Sequence, residues 1–307
     1  MDWFRQWTSD LAFPLLPDST SYDVFLAMRR HPRFDSTKRF EFRPHAEFHM
    51  TNDKSLWSHT QGPGEGLIPV LSSAAFDIWN PDTGYPFGYV PKDTALKVLR
   101  SKLKRQVRTS SSPFFGLSPE KLAKLPLEKA RIAFSSRARS TDLRTMTSCL
   151  VPPNVALSHA APYLLQRSGD TSDEAYLLGV LSSIPFDWYA RKFVDQNFSF
   201  FFFAPMPIPR PSQDDPLRHR AIDIAGRLAA VDERYSEWAK EVGVPVGSVK
   251  TKDEKDDLIA ELDAVVAHLY GLAEAQLAHI FETFHVGWDY RDRLDATLSH
   301  FRSWNSK

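Results

Sequence analysis

Four prolines in seven residues, Pro205-Met-Pro-Ile-Pro-Arg-Pro211, constrain this chain more than any other stretch. Each proline lacks a backbone N–H and holds φ at roughly −65°, so neither a helix interior nor a central strand runs through them. The segment reads as a linker or an exit from a sheet, and the hydrophobic period differs on its two sides. Residues 1–211 mix short strand-like runs with helices, whereas residues 212–307 carry helical spacing throughout.

On the N-terminal side, residues 2–33 look mainly helical, with Val24, Phe25 and Met28 on one face and His31-Pro32 as the stop. Residues 40–49 alternate partly, residues 67–71 and 75–79 are short apolar runs, and Pro81-Asp-Thr-Gly84 is a turn signature. Residues 94–108 predict a helix with Leu96, Leu99 and Leu103 inward and cations outward. A strand over 132–134 follows, then a loop, then an apolar stretch over 146–157 broken by Pro152-Pro153. Residues 173–194 predict a helix capped by Ser172 and interrupted by Pro185, and the aromatic run over 198–203 predicts a buried strand. Beyond the prolines, helices are expected near 217–231, 253–270, 273–284 and 289–304, punctuated by Gly243, Gly271 and Gly287. The fold class is therefore α+β: a mixed twisted sheet with flanking helices, followed by a C-terminal helical region.

The 307 residues, 42% of them hydrophobic, suffice for a substantial core. Cys149 stands alone, which rules out an internal disulfide or a cysteine zinc cage and fits a reducing cytoplasm. Neither a secretory signal nor a run of membrane-spanning length is visible, so the expectation is a cytoplasmic, nucleoid-associated protein without a membrane partner. Net charge is zero, yet residues 92–144 hold fourteen Lys/Arg against four Asp/Glu, a local +10, and residues 212–307 hold twelve against eighteen, a local −6. A basic segment of that size neutralises several phosphates.

Within it lies Arg131-Ile-Ala-Phe-Ser-Ser-Arg-Ala-Arg-Ser-Thr-Asp-Leu-Arg-Thr145, a strand opening into a loop rich in groups that read bases. The guanidiniums of Arg137, Arg139 and Arg144 pair bidentately with guanine edges or phosphates, and Asp142 accepts from a cytosine amine. Ser140, Thr141 and Thr145 add hydroxyls. Alternatively, the loop is a solvated surface whose arginines pair with acids elsewhere.

Other constellations compete poorly. His45, Glu47 and His49 share one face of a strand, as a two-histidine, one-carboxylate metal site needs, but no fourth ligand is in view and no metal is expected. Gly62-Pro-Gly-Glu-Gly66 precedes a strand instead of following one, and Pro63 removes a phosphate-binding N–H. Asn80-Pro-Asp-Thr83 and Val151-Pro-Pro-Asn154 each carry only part of the Asn-Pro-Pro-aromatic loop that holds a flipped base. Asp253-Glu-Lys255 opens an acidic helix, where carboxylates favour the dipole. No catalytic residue is assigned.

Arg131-Ile-Ala-Phe, Ser140-Thr-Asp-Leu-Arg-Thr145, Val151-Pro-Pro, Ala175-Tyr-Leu-Leu-Gly-Val-Leu-Ser-Ser183, Asp187-Trp-Tyr-Ala-Arg191 and Pro205-Met-Pro-Ile-Pro209 together resemble the recognition region of large N6-adenine DNA methyltransferases and fused type II restriction-modification enzymes. Phe48-His-Met-Thr-Asn-Asp-Lys54 and Phe76-Asp-Ile-Trp-Asn-Pro-Asp-Thr-Gly84 are similar to the section joining catalytic domain to recognition region. Glu261-Leu-Asp-Ala-Val-Val-Ala-His-Leu-Tyr-Gly-Leu272 is similar to the helical tail. The resemblance implies a DNA target-recognition domain over residues 1–211, a helical region over 212–307, and double-stranded DNA as partner. It places base contacts on Arg137, Arg139, Ser140, Thr141, Asp142, Arg144 and Thr145, and backbone contacts on Thr51, Asn52 and Lys54. Lys102 and Arg105 of the basic helix join them as phosphate contacts. The family's Phe-x-Gly-x-Gly and Asn-Pro-Pro-aromatic loops are missing, so S-adenosylmethionine is expected on a methyltransferase domain or subunit outside this chain, in an anti-phage or restriction-modification setting. A non-catalytic scaffold binding defence-complex subunits through its acidic helices is the rival reading.

Overall fold

The computed structural model describes residues 14–36, 40–58, 62–138, 142–193 and 200–305. In chain order its main elements are α1 (Ser19–Arg29), β1 (Glu41–His45), β2 (Leu67–Leu71), β3 (Gly88–Pro91), α2 (Lys92–Gln106), β4 (Arg131–Phe134), β5 (Ser148–Val151), β6 (Ala156–Leu157) and β7 (Tyr163–Ser168), then α3 (Thr171–Ser182), α4 (Ile184–Arg191), α5 (Pro216–Ala229), α6 (Ser236–Val242), α7 (Lys252–Leu269), α8 (Glu274–Glu282) and α9 (Arg291–Asn305). The fold is α+β with a C-terminal helical region, and the chain forms two compact units. One comprises Thr37–Arg137 and Thr147–Asp170; the other comprises Met1–Ser36, Ala138–Met146 and Thr171–Lys307. The division is not the single cut at 211 that the change of period implied. α3 lies before the prolines yet packs on α5 and α6 beyond them, because its buried face finds its apolar partners there.

The strand unit holds two sheets rather than one. β1-β7-β4-β5 is antiparallel throughout, and β3-β2-β6 is mixed, β2 running parallel to β6. β4 and β5 are buried at every position, which matches their unbroken apolar sequence. α2 lays Ala95 and Leu99 on the mixed sheet, in one cluster with Ile68, Val70 and Val90, while Leu103 and Val107 touch a second cluster around Ala133, Cys149 and Tyr163. Residues 75–79, expected as a strand, form a turn in which Trp79 sits at φ 56° and Asp77 pairs with Asn80.

The helical unit is centred on α7, which packs against α5 and α9 and also meets α4. Gly179 of α3 lies so close to α5 and α7 that a Cβ there would stand 3.2 Å from the Cβ of Ala225 and 3.4 Å from Leu262. Buried carboxylates tie the helices together. Asp263 accepts from the Ile184 N–H at 2.8 Å and from Arg293 at 2.6 Å, Asp173 accepts from Arg218 at 2.7 Å, and Glu174 accepts from the Trp238 indole at 2.9 Å.

The proline run is neither linker nor exit. It lies extended and buried in the helical unit, where Ile208 donates to the Pro32 carbonyl at 2.8 Å and Met206 accepts from Phe34 at 2.7 Å. Tyr176 and Tyr270 hydroxyls cap the carbonyls of Pro209 and Pro207. Prolines at alternate positions leave the donor of Ile208 available, so an edge pairing survives where a central strand would not. The aromatic run also departs from expectation: Phe200–Phe203 is a helical turn with Phe200 exposed and Phe203 buried, and Phe198 and Ser199 lie outside the described residues. The helix expected over 173–194 is two helices, because Ser183 caps α4 and Pro185 occupies its first turn. Among the described residues, no helix is long and apolar enough to cross a membrane.

A candidate nucleic-acid interface

In the strand unit, three segments far apart in sequence meet along one edge. The turn after β1 pairs with the segment after β6: Phe48 N–H donates to the Leu157 carbonyl at 3.1 Å and Met50 N–H donates to His159 Nδ1 at 3.1 Å. The start of the arginine loop lies on the other side of that segment. Ser136 N–H donates to the Ala160 carbonyl at 3.1 Å, and its hydroxyl donates to the same oxygen at 3.2 Å. Ser135 closes the loop's first turn, its Oγ donating to the Arg137 carbonyl and accepting from the Arg137 N–H. Arg137 is exposed, and no acid pairs with it among the described residues. Thr51, Asn52 and Lys54 are exposed on the neighbouring turn, so the structure brings together two groups of expected contacts that the sequence separates by more than eighty residues.

The turn is built on histidines. His49 Nδ1 accepts from the N–H groups of Thr51 (3.2 Å) and Asn52 (3.4 Å), and the ring stacks on His159 with centroids 4.4 Å apart and planes 9° apart. Burial, with His49 and Arg137 nearby, holds the His159 imidazole below its usual range. Asp53 accepts from the His49 N–H at 2.7 Å and from Lys102 Nζ at 2.7 Å, and Lys102 also donates to the Glu47 carbonyl. Lys102 thus fastens α2 to the turn. The exposed cations of α2 and its end are Lys97, Arg100, Lys104, Arg105 and Arg108, all without an acidic partner among the described residues.

Glu47 and Arg131 support this edge from inside. Arg131 Nη2 donates to Glu47 Oε1 at 2.9 Å and to the Val155 carbonyl, and Leu157 N–H donates to Glu47 Oε2 at 2.8 Å. Burial pushes the Glu47 carboxyl up, against the opposing pull of Arg131 and the Leu157 N–H. His45 packs edge-on to Phe114 and Tyr163 and bonds with Gln106 through Nε2 at 3.1 Å. Burial, and secondarily Lys102, pushes its imidazole down to about 4, so it is neutral near pH 7. The three residues of the possible metal face therefore have separate duties, and among the described residues no group of three or more His, Cys, Asp or Glu is placed to hold a metal.

The later part of the arginine loop belongs to the helical unit. Arg144 Nε donates to Asp187 Oδ2 at 2.5 Å, and its Nη2 donates to the Ser182 and Ser183 carbonyls. The N–H groups of Thr145 and Met146 both reach Asp187 Oδ1 at 3.0 Å. Arg191 donates to the carbonyls of Asp142 and Leu143, and its guanidinium lies 4.7 Å from the centre of the Phe284 ring. Thr145 is buried, Asp142 half-buried and Leu143 exposed. Arg139, Ser140 and Thr141 lie outside the described residues. Sequence reasoning missed His159, which no spacing links to His49 across 110 positions. It also missed the anchoring acid Asp187, whose only signal was its place in Asp187-Trp-Tyr-Ala-Arg191.

No protein family and no curated protein matches this sequence. Among solved structures the chain is similar to the type IIG restriction endonuclease BpuSI, with a TM-score of 0.42 and 15% identity over 83% of this chain and 34% of that one. The chain spans about a third of that enzyme's length.

Proposed function

We propose that this chain is a sequence-reading module for double-stranded DNA in an adenine-specific (N6) methyltransferase or restriction-modification enzyme, whose chemistry resides in another domain or subunit. The observation that carries the reading is the strand-unit edge. Arg137 stands exposed on the edge that also carries the turn of Thr51, Asn52 and Lys54, and Lys102 fastens that turn to α2, which with Arg108 just past its end offers five exposed cations without an acidic partner among the described residues. Among the described residues the two buried arginines are each paired, Arg131 with Glu47 and Arg218 with Asp173, whereas these cations face solvent without an acid. Such a surface supplies phosphate contacts for affinity and one guanidinium for a base edge. The motif resemblance points to the same partner.

Within this reading Arg137, with Arg139, Ser140 and Thr141 after it in sequence, contacts base edges. Thr51, Asn52, Lys54 and Arg105 contact the backbone, and Lys102 positions the turn. Arg144 and Thr145 hold the far end of the loop through Asp187, and a base contact by Arg144 requires that pair to open. The glycine cluster at 62–66 precedes β2 instead of joining a strand to a helix, so it is not the cradle that S-adenosylmethionine would need. No methyl-transfer step is assigned to this chain.

The test is fluorescence anisotropy with a randomised duplex library at several salt concentrations. Salt-dependent duplex binding with a sequence preference that Arg137→Ala relaxes is expected. Absence of salt-sensitive binding would overturn the reading and leave the protein-interaction scaffold in its place.

A further inference from the structure

Three backbone donors of the 49–52 turn end on imidazole nitrogens: Met50 N–H on His159 Nδ1, and Thr51 and Asn52 N–H on His49 Nδ1. A ring nitrogen that accepts carries no proton, so both rings are the tautomer protonated at Nε2. A proton on His159 Nδ1 would face the Met50 N–H donor to donor and lie against His49 across a 4.4 Å stack. The charged groups tied to the stack are Arg137 from the arginine loop, Asp53 from the turn, which accepts from the His49 N–H, and Lys102 from α2, which bonds to Asp53. Asp53 is the one acid among them, and it is committed to the His49 N–H and Lys102. Added positive charge at the stack therefore meets other cations and has no uncommitted acid among these neighbours.

We propose that His159 is a positioning residue of the duplex-contacting edge: while neutral it holds the turn that presents Thr51, Asn52 and Lys54, and its protonation releases that turn. The consequence for DNA affinity rests on the function proposed above; the conformational step does not. The lowered affinity of His159 for a proton agrees in sign. A base that binds its proton less tightly when folded contributes stability that is present above its unfolded value of 6.5 and is lost as pH falls below it. The effect opposes ordinary phosphate binding by histidine, which strengthens in acid, and so the pH profile separates positioning from direct contact.

Two measurements test it. In DNA-free protein, an NMR titration from pH 8 to 5 follows the Met50, Thr51 and Asn52 amides and the His159 ring carbons; all should move with one midpoint below 6.5. Amides that stay still while His159 titrates would overturn the proposal. The second compares duplex affinity at pH 7.5 and pH 5.5 for the native chain and His159→Gln, whose amide oxygen accepts from Met50 at either pH. The native chain is expected to lose about tenfold more affinity on acidification than the variant. An equal loss in both, or tighter native binding in acid, would also overturn it. If no duplex binds at any pH, the DNA reading fails, and the amide titration still decides the positioning role.

Discussion

Arg137 and Arg144 stand seven positions apart in one loop, yet their surroundings are opposite. Arg137 is exposed in the strand unit with no acid beside it among the described residues, whereas Arg144 in the helical unit meets Asp187 and two backbone carbonyls. The same guanidinium is left exposed in one setting and committed to architecture in the other. The difference lies in the partner: a fully buried carboxylate needs several donors, and Asp187 gathers Arg144 together with the N–H groups of Thr145 and Met146. Among the described residues no acid stands beside Arg137, and its guanidinium is exposed.

The largest expected effect falls on the architectural side. Asp187→Ala strands Arg144 and two backbone donors, and should cost about 3 to 5 kcal/mol of stability in urea unfolding. A loss under about 1 kcal/mol would show that Arg144 is not held as described. The strand unit offers a parallel in Glu47→Gln, which leaves Arg131 buried without a counter-charge and should cost about 3 kcal/mol. Replacing both partners by Glu47→Met with Arg131→Leu should recover most of that loss, whereas an additive loss would mean the pair does more than neutralise itself.

On the recognition side the signature reverses. Arg137→Ala should leave the urea midpoint nearly unchanged, within about 0.5 kcal/mol, while reducing discrimination between duplex sequences by about 1 to 3 kcal/mol. A variant that loses stability but keeps its sequence preference would erase the contrast between the two arginines. The smallest effect belongs to the α2 cations. Lys104→Ala should weaken all duplexes alike and lower the slope of log affinity against log salt by about 1.

Much of the fold was legible because it follows local rules. The period-3.6 segments after residue 212 became α5, α7, α8 and α9 nearly as expected, and Gly243, Gly271 and Gly287 all adopt positive φ. α6 escaped notice: it spans only Ser236–Val242 and leaves two residues, Trp238 and Ala239, to be buried. The aromatic run misled because apolar runs of that length suit a strand or a buried helical turn equally well. The proline run misled for another reason. Its composition forbids a central strand, but whether an extended segment lies buried or exposed depends on distant partners such as Tyr176 and Tyr270.

The candidate site divides in the same way. Residue chemistry marked Arg137 and the basic helix as candidate nucleic-acid contacts, the resemblance added Lys54, and strand spacing marked His45, Glu47 and His49 as groups able to share a face. Only tertiary structure decided that Glu47 neutralises Arg131, that His45 is neutral and enclosed, that His49 stacks on His159, and that Arg144 is paired. Sequence by itself determined most of the longer helices and the inventory of charge, since these depend on neighbours within a few positions. Which charges stay available for a partner was settled by contacts across tens of residues, because a buried carboxylate draws whichever donors the packed chain sets beside it.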